Sequence, residues 1–89
     1  MGSNRRDIDY RITAFEDRLR GKPWEIVAGL HNIDKSAVPR RLQEAIDVIA
    51  RTLNLLPATV AEAEATPKMW LRRIGSYRAV VDRFRRVGA

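Results

Sequence analysis

Residues 36–54 read SAVPRRLQEAIDVIARTLN, and their apolar residues recur with the period of an α-helix. The intervals are four, four, three and four residues along the series Val38, Leu42, Ile46, Ile49 and Leu53. Such intervals place the side chains on one stripe of a helix, where they can be buried together. The sequence therefore predicts a helix here, with this stripe turned toward a hydrophobic core.

Capping residues set the ends of this helix. Asp34 and Ser36 are both suitable N-caps, because their side chains can accept from a free N–H of the first turn. Ser36 is favoured because it puts Pro39 in the first turn, where the N–H that proline lacks would have no partner anyway. Asn54 is suited to the C-terminal end. We therefore expect the helix to start after Ser36 and to end near Asn54.

Two further helices are predicted before this stretch. The first covers residues 5–20 and ends at Gly21, since glycine commonly terminates a helix. Its apolar stripe consists of Ile8, Ile12, Phe15 and Leu19. The second is short and runs from Pro23 to Leu30, after which His31 and Asn32 form a turn. It is too short to be stable without packing on its neighbours.

Two more helices are predicted after it. A short piece runs from Pro57 through Glu64, and a long helix covers residues 67–87. The long helix has intervals of four, three, four and three along its stripe of Trp70, Ile74, Tyr77, Val81 and Phe84. The residues expected to be buried, within one chain or across a dimer, are Leu42, Ile46, Ile49, Trp70, Ile74, Tyr77 and Phe84. No segment alternates with period two, so we predict an all-α, compact bundle of four to five helices that forms one domain over 1–89.

Composition limits the classes of function. The chain has 89 residues, of which 45% are hydrophobic and 31% charged, as in a small globular domain. No apolar run approaches the ~18 residues that span a bilayer, so we expect a cytoplasmic protein without a membrane partner. It has no cysteine and one histidine, which disfavours zinc and thiolate chemistry. No acid, serine or second histidine lies at a catalytic spacing from His31, so we expect no enzyme activity, cofactor or metal.

Positive charge is concentrated in the last quarter of the sequence. Residues 1–66 contain ten basic and ten acidic residues, whereas residues 67–89 contain seven basic residues and the single acid Asp82. Fourteen of the seventeen basic residues are arginine, whose planar guanidinium suits bidentate contact with phosphate. In the last helix, Arg72, Arg83 and Arg86 fall opposite the apolar stripe. These three residues are predicted to contact phosphate, and the helix could also mediate dimerisation.

Residues 24–42 read WEIVAGLHNIDKSAVPRRL. This stretch resembles the helix-turn-helix of sigma-factor region-four-like proteins and of phage small-terminase DNA-binding domains. In that pattern Glu25 and Ile26 open the support helix, Ala28 lies where the two helices approach each other, and Ile33 follows the turn. The resemblance implies a helix-turn-helix unit over about 23–53. It further implies a small DNA-binding protein of bacterial or phage type, with a role in transcription regulation or DNA packaging.

The outward side of the implied recognition helix supplies candidate DNA contacts. Projection at the helical period puts Ser36, Arg40 and Gln43 opposite Val38 and Leu42, so these three are expected to face the bases. Arg40 has the geometry to pair with guanine and Gln43 with adenine. Lys35 and Arg41 lie at the edges of this side and are expected to contact phosphate, as are Arg72, Arg83 and Arg86.

Several features favour an alternative. The turn is one residue longer than the usual helix-turn-helix turn and lacks its glycine, and Pro39 falls inside the recognition helix. Residues 23–53 contain four basic and four acidic residues, so this unit has no net charge to attract phosphate. The alternative is a plain helical bundle in which residues 23–33 are a connector. Its function would be protein–protein interaction, for example as an inhibitor that binds an acidic partner surface.

Overall fold

The computed structural model describes the backbone of residues 3–88 and the side chains of residues 10–85. Within this range the chain forms five α-helices, one 3-10 helix and no strand, which confirms the all-α prediction. In chain order the helices are α1 (Ser3–Leu19), α2 (Trp24–Leu30), the 3-10 helix (Lys35–Ala37), α3 (Val38–Thr52), α4 (Val60–Ala65) and α5 (Pro67–Gly88). Over residues 3–88, each helix is too short or too polar to cross a lipid bilayer.

The core lies where α1, α3 and α5 pack against one another. Phe15 of α1 meets Trp70 of α5 edge to face, with ring centroids 5.9 Å apart. Both rings are buried, and such pairs add about 0.5–1.5 kcal/mol beyond the burial of their area. Six of the seven residues predicted to be buried are buried: Leu42, Ile46, Ile49, Trp70, Ile74 and Tyr77. The helical stripes therefore do form a single core.

Phe84 is the exception, because it is 71% exposed in the single chain. Val81 is the last residue of α5 that packs against the described core, and Phe84 lies beyond it. Val80 is further around the helix from Trp70 than Phe84 is, yet it is half-buried, so position along the helix rather than angle accounts for the exposure. Phe84 is thus not buried within one chain, and its burial across a dimer stays a prediction.

The start of α3 also differs from the prediction. Residues 35–37 form a separate 3-10 helix, and Ala37 rather than Ser36 is the N-cap of α3. The Ser36 hydroxyl donates instead to a carboxylate oxygen of Asp34 at 2.9 Å, which favours the turn over a helix cap. Pro39 does lie in the first turn of α3, as expected. The prediction of Ser36 as the cap was therefore wrong, although the helix and its proline were placed correctly.

Candidate nucleic-acid interface

The segment predicted to be a helix-turn-helix folds as α2, the turn after it, the 3-10 helix and α3. Val27 and Ala28 are buried, and Ile33 is nearly so. The Ile33 N–H donates to the Ala28 carbonyl at 2.9 Å and closes the turn. Asn32 has φ of 53°, the left-handed conformation that glycine usually supplies. Asparagine therefore supplies the left-handed residue of this turn, and α2 packs against α3.

A partly buried polar contact joins the end of α2 to α1. His31 Nε2 lies 2.7 Å from Asp17 Oδ2, and the Lys22 ammonium lies 3.2 Å from the other carboxylate oxygen. Partial burial acts to raise the pKa of Asp17, but hydrogen bonds from His31 and Lys22, with their charges, lower that pKa below 3.8 overall. The sequence placed His31 in a turn. Its structural partner, fourteen residues away, was not predicted.

Two of the three residues predicted to face bases lie on the surface. Ser36 and Arg40 are exposed, and Arg40 makes no ion pair with any described side chain. Gln43 is different, because its amide nitrogen donates to the Asp47 carboxylate at 2.9 Å and to the Ala58 carbonyl at 2.8 Å. This amide ties the segment after α3 back onto α3. Gln43 is thus engaged within the fold and is not free to pair with adenine in this conformation.

The two residues at the edges of α3 that were predicted to contact phosphate face carboxylates. Lys35 forms an ion pair with Glu25 at 3.2 Å, and both side chains are 66% exposed. Arg41 forms an ion pair with Glu44 at 3.0 Å, and Arg11 forms a second ion pair with the same carboxylate at 3.2 Å. Exposed ion pairs of this kind contribute little and can open. A phosphate would nevertheless compete with these carboxylates, so Lys35 and Arg41 are weaker candidates than their positions in the sequence indicated.

The outer face of α5 carries exposed cations without ion-pair partners among the described side chains. Lys68, Arg72 and Arg83 are exposed, and none of them forms an ion pair within the described part of the chain. We call these three residues the cationic stripe. It runs about 22 Å along one face of α5. Arg86 continues the helix beyond Arg83, but its side chain lies outside the described residues.

Most of the described acids are already neutralised inside the molecule. Glu16 pairs with Arg20 and Arg78, and Glu64 pairs with Arg18 at 2.7 Å. Glu62 accepts from the backbone N–H of Thr59 in the capping box of α4. The surplus positive charge is thus left on the outward faces of α3 and α5. The sequence analysis missed Lys68, although it lies four residues before Arg72, the spacing that puts both on one helix face.

The described side chains contain no group of three or more residues with metal-ligand chemistry. Comparison of the chain with protein families, with curated proteins and with solved structures gave no significant match. The grounds for a functional inference are therefore the packing of α2 against α3 and the distribution of unpaired charge.

Proposed function

We propose that this chain binds double-stranded DNA. In this proposal the cationic stripe of α5 contacts phosphates, and the unit formed by α2 and α3 presents Arg40 to the major groove. The observation that carries the proposal is the set of three exposed, unpaired cations on one face of α5, in a protein whose acids are largely engaged elsewhere. The protein would act in regulation or packaging of DNA.

Phosphate contact is the physical basis of the affinity. Each phosphate neutralised by a lysine or arginine releases condensed counterions, and this release drives association. The cationic stripe is suited to this role because it lies on a helix whose opposite face is anchored in the core by Trp70 and Ile74. The backbone positions of its cations are thus fixed in a row before binding.

Arg40 supports a contribution from base contacts. It is exposed, has no ion-pair partner among the described side chains and lies in the first turn of α3. The N-terminal residues of a recognition helix are those that reach base edges, and arginine pairs with guanine through two hydrogen bonds. Ser36, one turn earlier, is exposed beside it. Gln43 is left out of the proposed contacts because its amide is engaged with Ala58.

Fluorescence anisotropy with a labelled random duplex at low salt tests this proposal. Arg72→Gln and Arg83→Gln should each weaken binding, whatever the DNA sequence. The matched control is Arg20→Gln, which removes the same charge from an exposed arginine that is paired with Glu16 on α1. An equal loss of affinity in the control would mean that only net charge matters, and the proposed interface would then be wrong.

Protein–protein interaction is the second candidate function. It is favoured by large apolar side chains on the surface, above all Leu56, which is 87% exposed, and Phe84. Large apolar side chains exposed on the surface can contribute to interaction sites. If the chain has no measurable affinity for DNA even at low salt, this function replaces DNA binding.

A further inference from the structure

We propose that one flank of α5, together with the neighbouring loop, is a docking surface for an amphipathic helix whose apolar side is bordered by acidic residues. The surface is formed by Leu56 of the loop and by Met69, Val80 and Phe84 of α5, which we call the apolar row. The row lies beside the cationic stripe, whose Arg72 and Arg83 border it, and the proposal does not depend on DNA binding.

The apolar row follows one side of the helix. Met69, Val80 and Phe84 lie within about 60° of one another around α5 and span about 22 Å, with the half-buried Arg73 between Met69 and Val80. Met69 and Phe84 are 43% and 71% exposed, and Val80 is half-buried. A helix of ~15 residues matches this length. The row can therefore accommodate about four turns of a partner helix.

A groove gives the row a second wall. It has a volume of about 700 Å³ and lies between the loop at residues 54–58 and the first turns of α5. Leu56, Met69 and Arg73 line it, and the guanidinium of Arg73 lies over the Trp70 ring, 4.8 Å from the centroid. Apolar side chains of a helix that lies along α5 could enter here, as in other complexes that place a helix in a groove.

Charge identifies the partner. The cationic stripe lies about a quarter turn around α5 from the apolar row, so Arg72 and Arg83 border it along its length. A partner helix with aspartate or glutamate beside its apolar face would bury that face on the row and place its carboxylates opposite these arginines. A second copy of this chain fits less well, because it would bring two rows bordered by cations together.

The probe for this proposal is a fluorescein-labelled helical peptide of about 18 residues, with leucine at helical spacing and glutamate beside the leucine stripe. A second peptide has the same composition in an order that destroys the stripe. Anisotropy should show that the chain binds the first peptide at least tenfold more tightly than the second. Phe84→Ser and Leu56→Ser should each weaken binding about tenfold, because a buried large apolar side chain is lost.

Leu30→Ser is the matched control, because Leu30 is 59% exposed but lies on α2. It should leave peptide affinity unchanged. Equal binding of both peptides, or no effect of Phe84→Ser, would overturn the proposal, since charge alone would then explain the binding. The proposal would also be overturned if the chain did not bind the peptide but formed a dimer that Phe84→Ser dissociates. Phe84→Ser should leave DNA affinity intact, so this proposal and the proposed function can fail separately.

Discussion

Replacing Gln43 by alanine separates a structural role for this residue from base recognition. Its amide nitrogen is within 2.9 Å of the Asp47 carboxylate and 2.8 Å of the Ala58 carbonyl. The bond to Ala58 joins α3 to the loop that leads into α4, and it is partly buried, whereas the bond to Asp47 is exposed. Gln43→Ala removes both bonds and leaves the Ala58 carbonyl without this donor.

The expected loss of stability follows from these two bonds. A hydrogen bond within a protein contributes about 0.5–1.5 kcal/mol net, and the exposed one lies at the lower end, so Gln43→Ala should cost about 1–2 kcal/mol. For a domain of this size that loss lowers Tm by about 4–16 °C. Circular dichroism at 222 nm measures Tm during heating and the free energy of unfolding during a urea titration.

Arg40→Ala is the control, one turn earlier on the same helix. Arg40 is exposed and has no ion-pair partner among the described side chains, so this substitution should change stability by less than ~0.5 kcal/mol. If Gln43→Ala has the same Tm as the wild type but a lower affinity for one DNA sequence, the structural role assigned to Gln43 is refuted.

Three further predictions concern the core, the polar contact at α2 and base recognition. Ile46→Ala should lower the free energy of unfolding in urea by roughly 2–5 kcal/mol because Ile46 is fully buried. Phe84→Ala should lower it by less than ~0.5 kcal/mol because Phe84 is exposed, and similar losses for the two variants would contradict the assigned core. Asp17→Asn should destabilise the protein at pH 7. Because folding lowers the pKa of Asp17, the stabilising effect of the Asp17 carboxylate should disappear as the pH falls below 3.8, so wild type and variant should converge in stability there. Parallel stability curves for the wild type and the variant down to pH 2 would contradict this. Arg40→Ala should cost ~1–3 kcal/mol on a preferred duplex but little on random DNA, and an equal loss on both would exclude base contact by Arg40.

The helices could be predicted from the sequence because burial follows helical period. The stripe from Val38 to Ile49 and the stripe from Trp70 to Tyr77 are local patterns, and each needs only one side of a helix to be apolar. The exposure of Phe84 within one chain has no such local signal, because it depends on how far along α5 the neighbouring helices cover it.

The candidate site was less predictable because its contacts join distant parts of the chain. Gln43 meets Ala58 fifteen residues later, and Asp17 meets His31 fourteen residues later. Neither pair has a periodic signal, since each depends on how separate elements pack. The excess of positive charge after residue 66 was visible in the sequence, but which cations lack an acidic partner is known only from the folded chain.

The salt dependence of DNA affinity tests the central claim most directly. Association constants for one random duplex are measured between about 50 and 200 mM salt, for the wild type and for the variant Lys68→Gln/Arg72→Gln/Arg83→Gln. If all three residues contact phosphate, the slope of log affinity against log salt should become shallower by about 2.7, at 0.9 per contact. The variant should fold, because its substitutions lie opposite the buried face of α5. A wild-type slope near zero, or a folded variant with an unchanged slope, would contradict DNA binding through α5.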